Sequence, residues 1–176
     1  MNGYLGNKKT RTAYELERLI QPTHFVTVNF KKGRKIDNEL GFCPWVAGDD
    51  VIYHIAADAI VRCLSKALVS RSNWKRHRNL LPSAYSIEGG KRDGFREIWQ
   101  RPHVHFSIQV PSHVDDLTFE LAAWKASRRN PWVIEGEGSI QIEALRSAPA
   151  GLGYSLKEGT GRFMITGSGS LDVASN

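Results

Sequence analysis

Two short patterns in this chain combine residue types that can do chemistry. His103-Val104-His105 sets two imidazoles at i and i+2, and on a β-strand such residues project from the same face. That is metal-ligand chemistry. Further along, Tyr154-Ser155-Leu156-Lys157 puts a phenol and an ammonium three residues apart. On a helix the two lie side by side and can meet one substrate, which is nucleophile chemistry. A phenol with a reference pKa of about 10 needs a cation, a metal field or a base to attack at neutral pH. Lys157 offers the cation. Glu88, on the strand before His103, adds an oxygen ligand, so Glu88, His103 and His105 form a candidate metal set with coordination positions left for substrate. An ion held there would draw charge off a non-bridging oxygen of a phosphodiester.

The elements that must position these groups follow from periodicity and punctuation. Residues 13–20 are a helical candidate with Leu16, Leu19 and Ile20 on one side and Pro22 as its stop. Residues 23–30 are rich in β-branched and aromatic side chains and read as a strand. The stretch 31–48 reads as a long polar loop, and its length marks it as functional. Asp49 or Asp50 caps the strongest helix, whose expected core stripe is Ile52, Ile55, Ala56, Ile60, Cys63, Leu64, Ala67 and Leu68. A basic connection at 71–78 leads to a second strand at 83–88 and a charged, glycine-rich turn at 89–94. A third strand, 101–110, ends at Pro111. A second amphipathic helix starts at Asp115 or Asp116, carries Leu117, Leu121 and Trp124, and ends near Asn130-Pro131. Residues 139–145 alternate as a fourth strand, a short helix is expected around 152–157, and 163–166 can add a strand before a flexible Gly/Ser tail.

The expected fold class is α+β: an open four-to-five-stranded antiparallel sheet with helices on one face, in the order β-α-β-β-α-β-α, an RRM-like arrangement. One domain is expected over 1–176, with its core at about 23–157, a polar N-terminal extension and the C-terminal tail outside it. Side-chain parity then predicts which face carries the site. Val26, Val28, Tyr85, Ile87, Val104, Phe106, Ile108, Ile140 and Ile142 go to the helices. Thr27, Asn29, Ser86, Glu88, His103, His105, Ser107, Gln109, Gln141 and Glu143 go to the opposite face.

The chain has a formal net charge of +6, which favours a polyanionic partner. The charge is clustered: Lys31, Lys32, Arg34 and Lys35; Arg71, Lys75, Arg76 and Arg78; Lys91, Arg92 and Arg96. Trp74, His77, Phe95 and Trp99 lie among the last two clusters, a combination suited to phosphate contact and base stacking. The cations expected to contact phosphates are Lys31, Lys32, Arg76, Lys91, Arg92 and Arg96. Cys43 and Cys63 belong to no CxxC pair, which excludes a cysteine zinc framework or disulfide scaffold. Residues 1–12 are polar and basic with no apolar run, and nothing in the sequence is apolar enough to span a bilayer. A soluble, cytoplasmic protein without a membrane partner is expected.

In their order along the chain these residues resemble the HUH endonucleases, named for histidine–hydrophobe–histidine, and in particular the single-tyrosine rolling-circle replication initiators. Val26-Thr27-Val28-Asn29-Phe30 is similar to the first family motif, His103-Val104-His105 to the second and Tyr154-Ser155-Leu156-Lys157 to the third, and Glu88 sits like the family's upstream acidic ligand. The likeness spans residues 23–157. It implies a metal-dependent nick in single-stranded or hairpin origin DNA, with Tyr154 joined to the 5′ end and a 3′ hydroxyl released. It also implies Mg²⁺ or Mn²⁺ at Glu88, His103 and His105, and a host helicase and polymerase as partners. Thr27 and Asn29 would organise the DNA or the site. The segment between Glu88 and His103 is longer than in compact virus-type initiators, and the sequence carries no Walker loop for unwinding. One tyrosine in the nucleophile motif argues against two-tyrosine initiators and many relaxases, while a single-tyrosine transposase or relaxase shares the chemistry.

Other classes make different demands. A non-catalytic single-stranded nucleic-acid-binding module on the same sheet would show aromatic residues on its central strands, where this chain has His103, His105, Ser107 and Gln109. A non-haem iron oxygenase with two histidines and a carboxylate calls for an all-β barrel. A zinc hydrolase with the same three ligands leaves Tyr154 and Lys157 without a role.

Overall fold

Alternation of β-branched and polar residues from His24 to Asn29 produces a strand with one buried and one half-buried side, and this strand organises the sheet. The computed structural model describes residues 15, 18–36, 43–71, 74, 80–89, 101–145 and 163–166. In chain order these hold β1 (His24–Asn29), β2 (Gly33–Lys35), β3 (Trp45–Ala47), α1 (Asp50–Leu68), β4 (Ser83–Glu88), β5 (His103–Ile108), α2 (Asp116–Arg128), β6 (Ile140–Ala144) and β7 (Phe163–Thr166). The main sheet has five strands in the order β6-β1-β5-β4-β7, every neighbouring pair antiparallel. The fold is α+β, as the sequence predicts, and β7 supplies the fifth strand. The helix expected around 152–157 lies outside the described residues.

Both helices begin on an aspartate that caps them. Asp49 accepts a hydrogen bond from the Ile52 amide at 2.8 Å, and Asp115 accepts from the Thr118 amide at 2.8 Å and the Thr118 hydroxyl at 2.9 Å. These bonds hold the Asp115 carboxyl below its ordinary pKa. The helices cover one face of the sheet. Val26, Val28, Tyr85, Ile87, Val104, Phe106 and Ile108 from the strands meet Tyr53, Ile60 and Leu64 of α1 and Phe119 and Ala123 of α2 in one core. Phe30 stacks on Tyr53 with ring centroids 5.4 Å apart. Each large apolar side chain buried this way contributes about 1.5–3 kcal/mol before conformational entropy is offset.

The helix faces differ from the expected stripes. On α1, Ile55, Cys63 and Ala67 are exposed, while Tyr53, Ala57 and Val61 are buried. On α2, Leu117, Leu121 and Trp124 are exposed and Phe119, Ala123 and Ala126 are buried. Each helix carries apolar residues on two overlapping i, i+4 rows, and spacing does not choose between them. Packing does: Tyr53 reaches Phe30 and Trp132, and Phe119 reaches His24. Likewise Ile20 is buried and Leu19 exposed, so the short helical stretch before β1 turns one of its expected apolar residues outward.

The stretch 31–48 is more than a loop. Gly33–Lys35 and Trp45–Ala47 pair antiparallel as a separate two-stranded ribbon. Three-residue strands are too short to display a period of two, so their sequence carries no strand signal. No helix among the described residues is long and apolar enough to cross a membrane.

Candidate metal centre

Strand register brings the site together. In the pairings of β1, β5 and β4, Asn29, His103 and Glu88 form one cross-strand row and Thr27, His105 and Ser86 the next. Directly opposed residues in an antiparallel pair share a face, so both rows project away from the helices, as parity predicts. Gly89, at φ +69°, turns the chain immediately after Glu88 and leaves that carboxylate at the strand's last position.

The side chains converge. Glu88 Oε2 lies 3.5 Å from His103 Nε2 and 3.7 Å from His105 Nε2, and the three candidate ligand atoms all fall within 4.8 Å of one another. Hydrogen bonds are shorter than this. Ligands about 2.1 Å from a shared ion stand roughly 3.0–3.4 Å apart at right-angled to tetrahedral geometry, so the two short separations are close to those of a ligand shell. Among the described residues this is the single group of three or more His, Cys, Asp or Glu side chains that could hold a metal ion.

The outer nitrogens are committed elsewhere. His103 Nδ1 is 2.9 Å from the Arg101 carbonyl, which can only accept, so that nitrogen carries the proton and Nε2 is left to face Glu88. His105 Nδ1 is 2.9 Å from Thr27 Oγ1, and the His105 ring stacks on Phe25 with centroids 5.2 Å apart. Fixing one imidazole nitrogen by a hydrogen bond orients the other toward a metal. Two imidazole nitrogens and a carboxylate that face one another form a donor set that fits a divalent cation, with the His105 Nδ1 proton donated to Thr27 Oγ1 in the metal-binding tautomer.

The face is less open than its polarity implies. Ala84, Ser86, Ser107, His105 and Glu88 are all buried. The His103 side chain, 23% exposed, is the member that reaches solvent. Low dielectric at the other two strengthens any charge interaction made there.

The remaining expected site residues are distributed. Thr27 is bonded to His105, which makes it a support for a candidate ligand. Asn29 Nδ2 donates to the Gly138 carbonyl at 2.7 Å and ties β1 to the turn before β6. Lys31 forms an ion pair with Glu135 at 2.9 Å, which holds the Glu135 carboxyl below its ordinary pKa. Lys32 is exposed at the base of the ribbon, where its carbonyl accepts from Gly48. Tyr154, Lys157, Arg76, Lys91, Arg92 and Arg96 lie outside the described residues. Phe25 and the Arg101 carbonyl were not foreseen. Phe25 could have been found from parity, since it shares the face of Thr27, whereas a backbone carbonyl gives no signal in sequence.

Two of the five tyrosines are excluded as nucleophiles. Tyr53 and Tyr85 are fully buried, and their hydroxyls donate to the Lys31 carbonyl and to Asp58 Oδ1. Burial, reinforced by Asp58, pushes the Tyr85 phenol far above its ordinary pKa.

No protein-family model and no curated protein matches this chain. One solved structure, an uncharacterized conserved protein from Listeria innocua, is similar over 72% of this chain at 14% identity, with a TM-score of 0.29. The chain spans 56% of that protein's length.

Proposed function

We propose that this chain is a metal-dependent, site-specific endonuclease that nicks and rejoins single-stranded DNA through a 5′-phosphotyrosine at Tyr154, in the manner of single-tyrosine HUH replication initiators. The observation that carries this reading is the convergence of Glu88, His103 and His105 on one point, with both outer imidazole nitrogens fixed. It is supported by the order of the three sequence motifs, which places Tyr154 in the nucleophile motif, and by the burial of Tyr53 and Tyr85, which removes those two of the five tyrosines.

A divalent ion held by Glu88, His103 and His105, Mg²⁺ or Mn²⁺ in this reading, supplies Lewis-acid polarisation of the scissile phosphate. Tyr154 attacks phosphorus through its hydroxyl oxygen and gives up its proton. The bond from phosphorus to the 3′ oxygen breaks, and that oxygen leaves as a 3′ hydroxyl after taking up a proton. Lys157 steadies the charge that develops on the phenol or the phosphate. Attack by a 3′ hydroxyl on the phosphotyrosine reverses the step and rejoins strands. Thr27 and Phe25 keep the His105 ring in one orientation, and the Arg101 carbonyl does the same for His103. The substrate is single-stranded or hairpin origin DNA, and a polymerase and a helicase extend and unwind from the nick.

Incubation with a panel of single-stranded origin-like oligonucleotides in Mn²⁺ or EDTA tests the reading. A covalent protein–DNA adduct that survives a denaturing gel and requires the metal is expected. Metal-dependent cleavage without an adduct points instead to a hydrolytic nuclease that uses the same three ligands.

A further inference from the structure

The ribbon of β2 and β3 presents an aromatic side chain in an unusual setting. Trp45 is 64% exposed, yet its indole lies against Gly33, where a Cβ would come within 2.6–2.8 Å of the ring atoms. Gly33 is buried in consequence. A glycine at 33 therefore lets the indole rest directly on the backbone of the partner strand. Lys35 pairs directly with Trp45 and shares its face. The ribbon's other face is turned inward, with Arg34 lying 5.9 Å over the Trp132 ring. The outer face thus consists of a supported indole beside a lysine. The ribbon residues 31–36 and 43–48 carry Lys31, Lys32, Arg34 and Lys35 and no carboxylate.

The ribbon is also tethered close to the metal group. β2 begins four residues after Asn29, and Asn29 is the cross-strand partner of His103. Four residues of chain span at most about 14 Å. The start of the ribbon therefore stays within that distance of the strand position opposite His103.

We propose that the outer face of the ribbon is a stacking platform for one base of single-stranded DNA, with Trp45 as the stacking surface and Lys35 contacting the adjacent phosphate. A peptide partner is less well matched, because the described residues of the ribbon offer cations and one aromatic face and no carboxylate. Base–aromatic stacking tolerates any sequence, so the platform holds the strand while recognition lies elsewhere. The platform rests on the proposed nuclease reading for its place along the DNA path, but its binding can be measured without cleavage.

The test uses the full chain in EDTA with a short oligothymidylate. Trp45→Ala should weaken binding on the order of 10-fold, the scale for loss of one stacked base, and leave the salt dependence unchanged. Trp45→Phe, which still covers Gly33, should retain most of the affinity. Lys35→Ala should instead flatten the log–log salt slope by about 0.7, one phosphate contact. Oligothymidylate should quench tryptophan emission more in the wild type than in Trp45→Phe, a readout that does not depend on how the alanine variant folds. Equal quenching in the two, or wild-type affinity in Trp45→Ala, overturns the platform. If the quenching difference is present but no adduct ever forms, the platform stands and the nuclease reading falls. If the adduct forms and Trp45→Ala binds as tightly as wild type, the reverse holds.

Discussion

Thr27 Oγ1 and His105 Nδ1 lie 2.9 Å apart across the β1–β5 pair, and this bond joins Thr27 to a candidate metal ligand on the neighbouring strand. It turns His105 Nε2 toward Glu88, while Phe25 stacks against the ring. Thr27 thereby orients a candidate ligand and is not itself among the candidate ligand atoms. Removing such an outer partner usually costs 10–100-fold in metal affinity. Thr27→Val keeps the β-branched shape and deletes the hydroxyl, so the fold should survive and Mn²⁺ affinity should drop by about that factor. Calorimetric titration of Mn²⁺ into the two proteins checks it, and equal affinities would remove Thr27 from this role.

The metal group itself is tested by His103→Ala combined with His105→Ala. Both residues point away from the helices, and neither belongs to the apolar core. The double variant should keep its circular dichroism spectrum and lose most Mn²⁺ binding and all metal-dependent cleavage. Unchanged Mn²⁺ affinity would refute the site.

Tyr154→Phe removes one oxygen and barely changes volume or helix propensity. DNA affinity should persist while adduct and nick both disappear. Lys157→Ala should slow the reaction by on the order of 10²–10⁴, the range for a positioned acid–base group. A phenylalanine variant that nicks at the wild-type rate would reassign the attack to water.

Affinity for single-stranded DNA should fall steeply with salt, with a log–log slope of roughly −0.7 per phosphate contact. Replacing Lys91, Arg92 and Arg96 together should flatten that slope if the segment between β4 and β5 holds the strand. Lys31 is already paired with Glu135, so Lys31→Ala should change the slope less than those three. A slope insensitive to the triple replacement would put the DNA path elsewhere, with the ribbon as the next surface to map.

Local sequence determined the strands that build the site and the direction each side chain faces. Ser83–Glu88 and Phe163–Thr166 begin and end where their composition places them, and β1, β5 and β6 are each trimmed by one or two residues at the ends. Parity put Glu88, His103 and His105 on one face because a strand alternates with a fixed period of two, whatever surrounds it. Other features required tertiary structure. Register between strands far apart in sequence set Thr27 opposite His105 and Asn29 opposite His103, and no local pattern encodes a pairing of that separation. Packing chose Tyr53 over Ile55 on α1 and Phe119 over Leu121 on α2, since an apolar-rich helix offers two faces and the facing sheet accepts one. In the ribbon Trp45 rests on the bare backbone of Gly33 on the paired strand, a contact between two residues that neither announces alone.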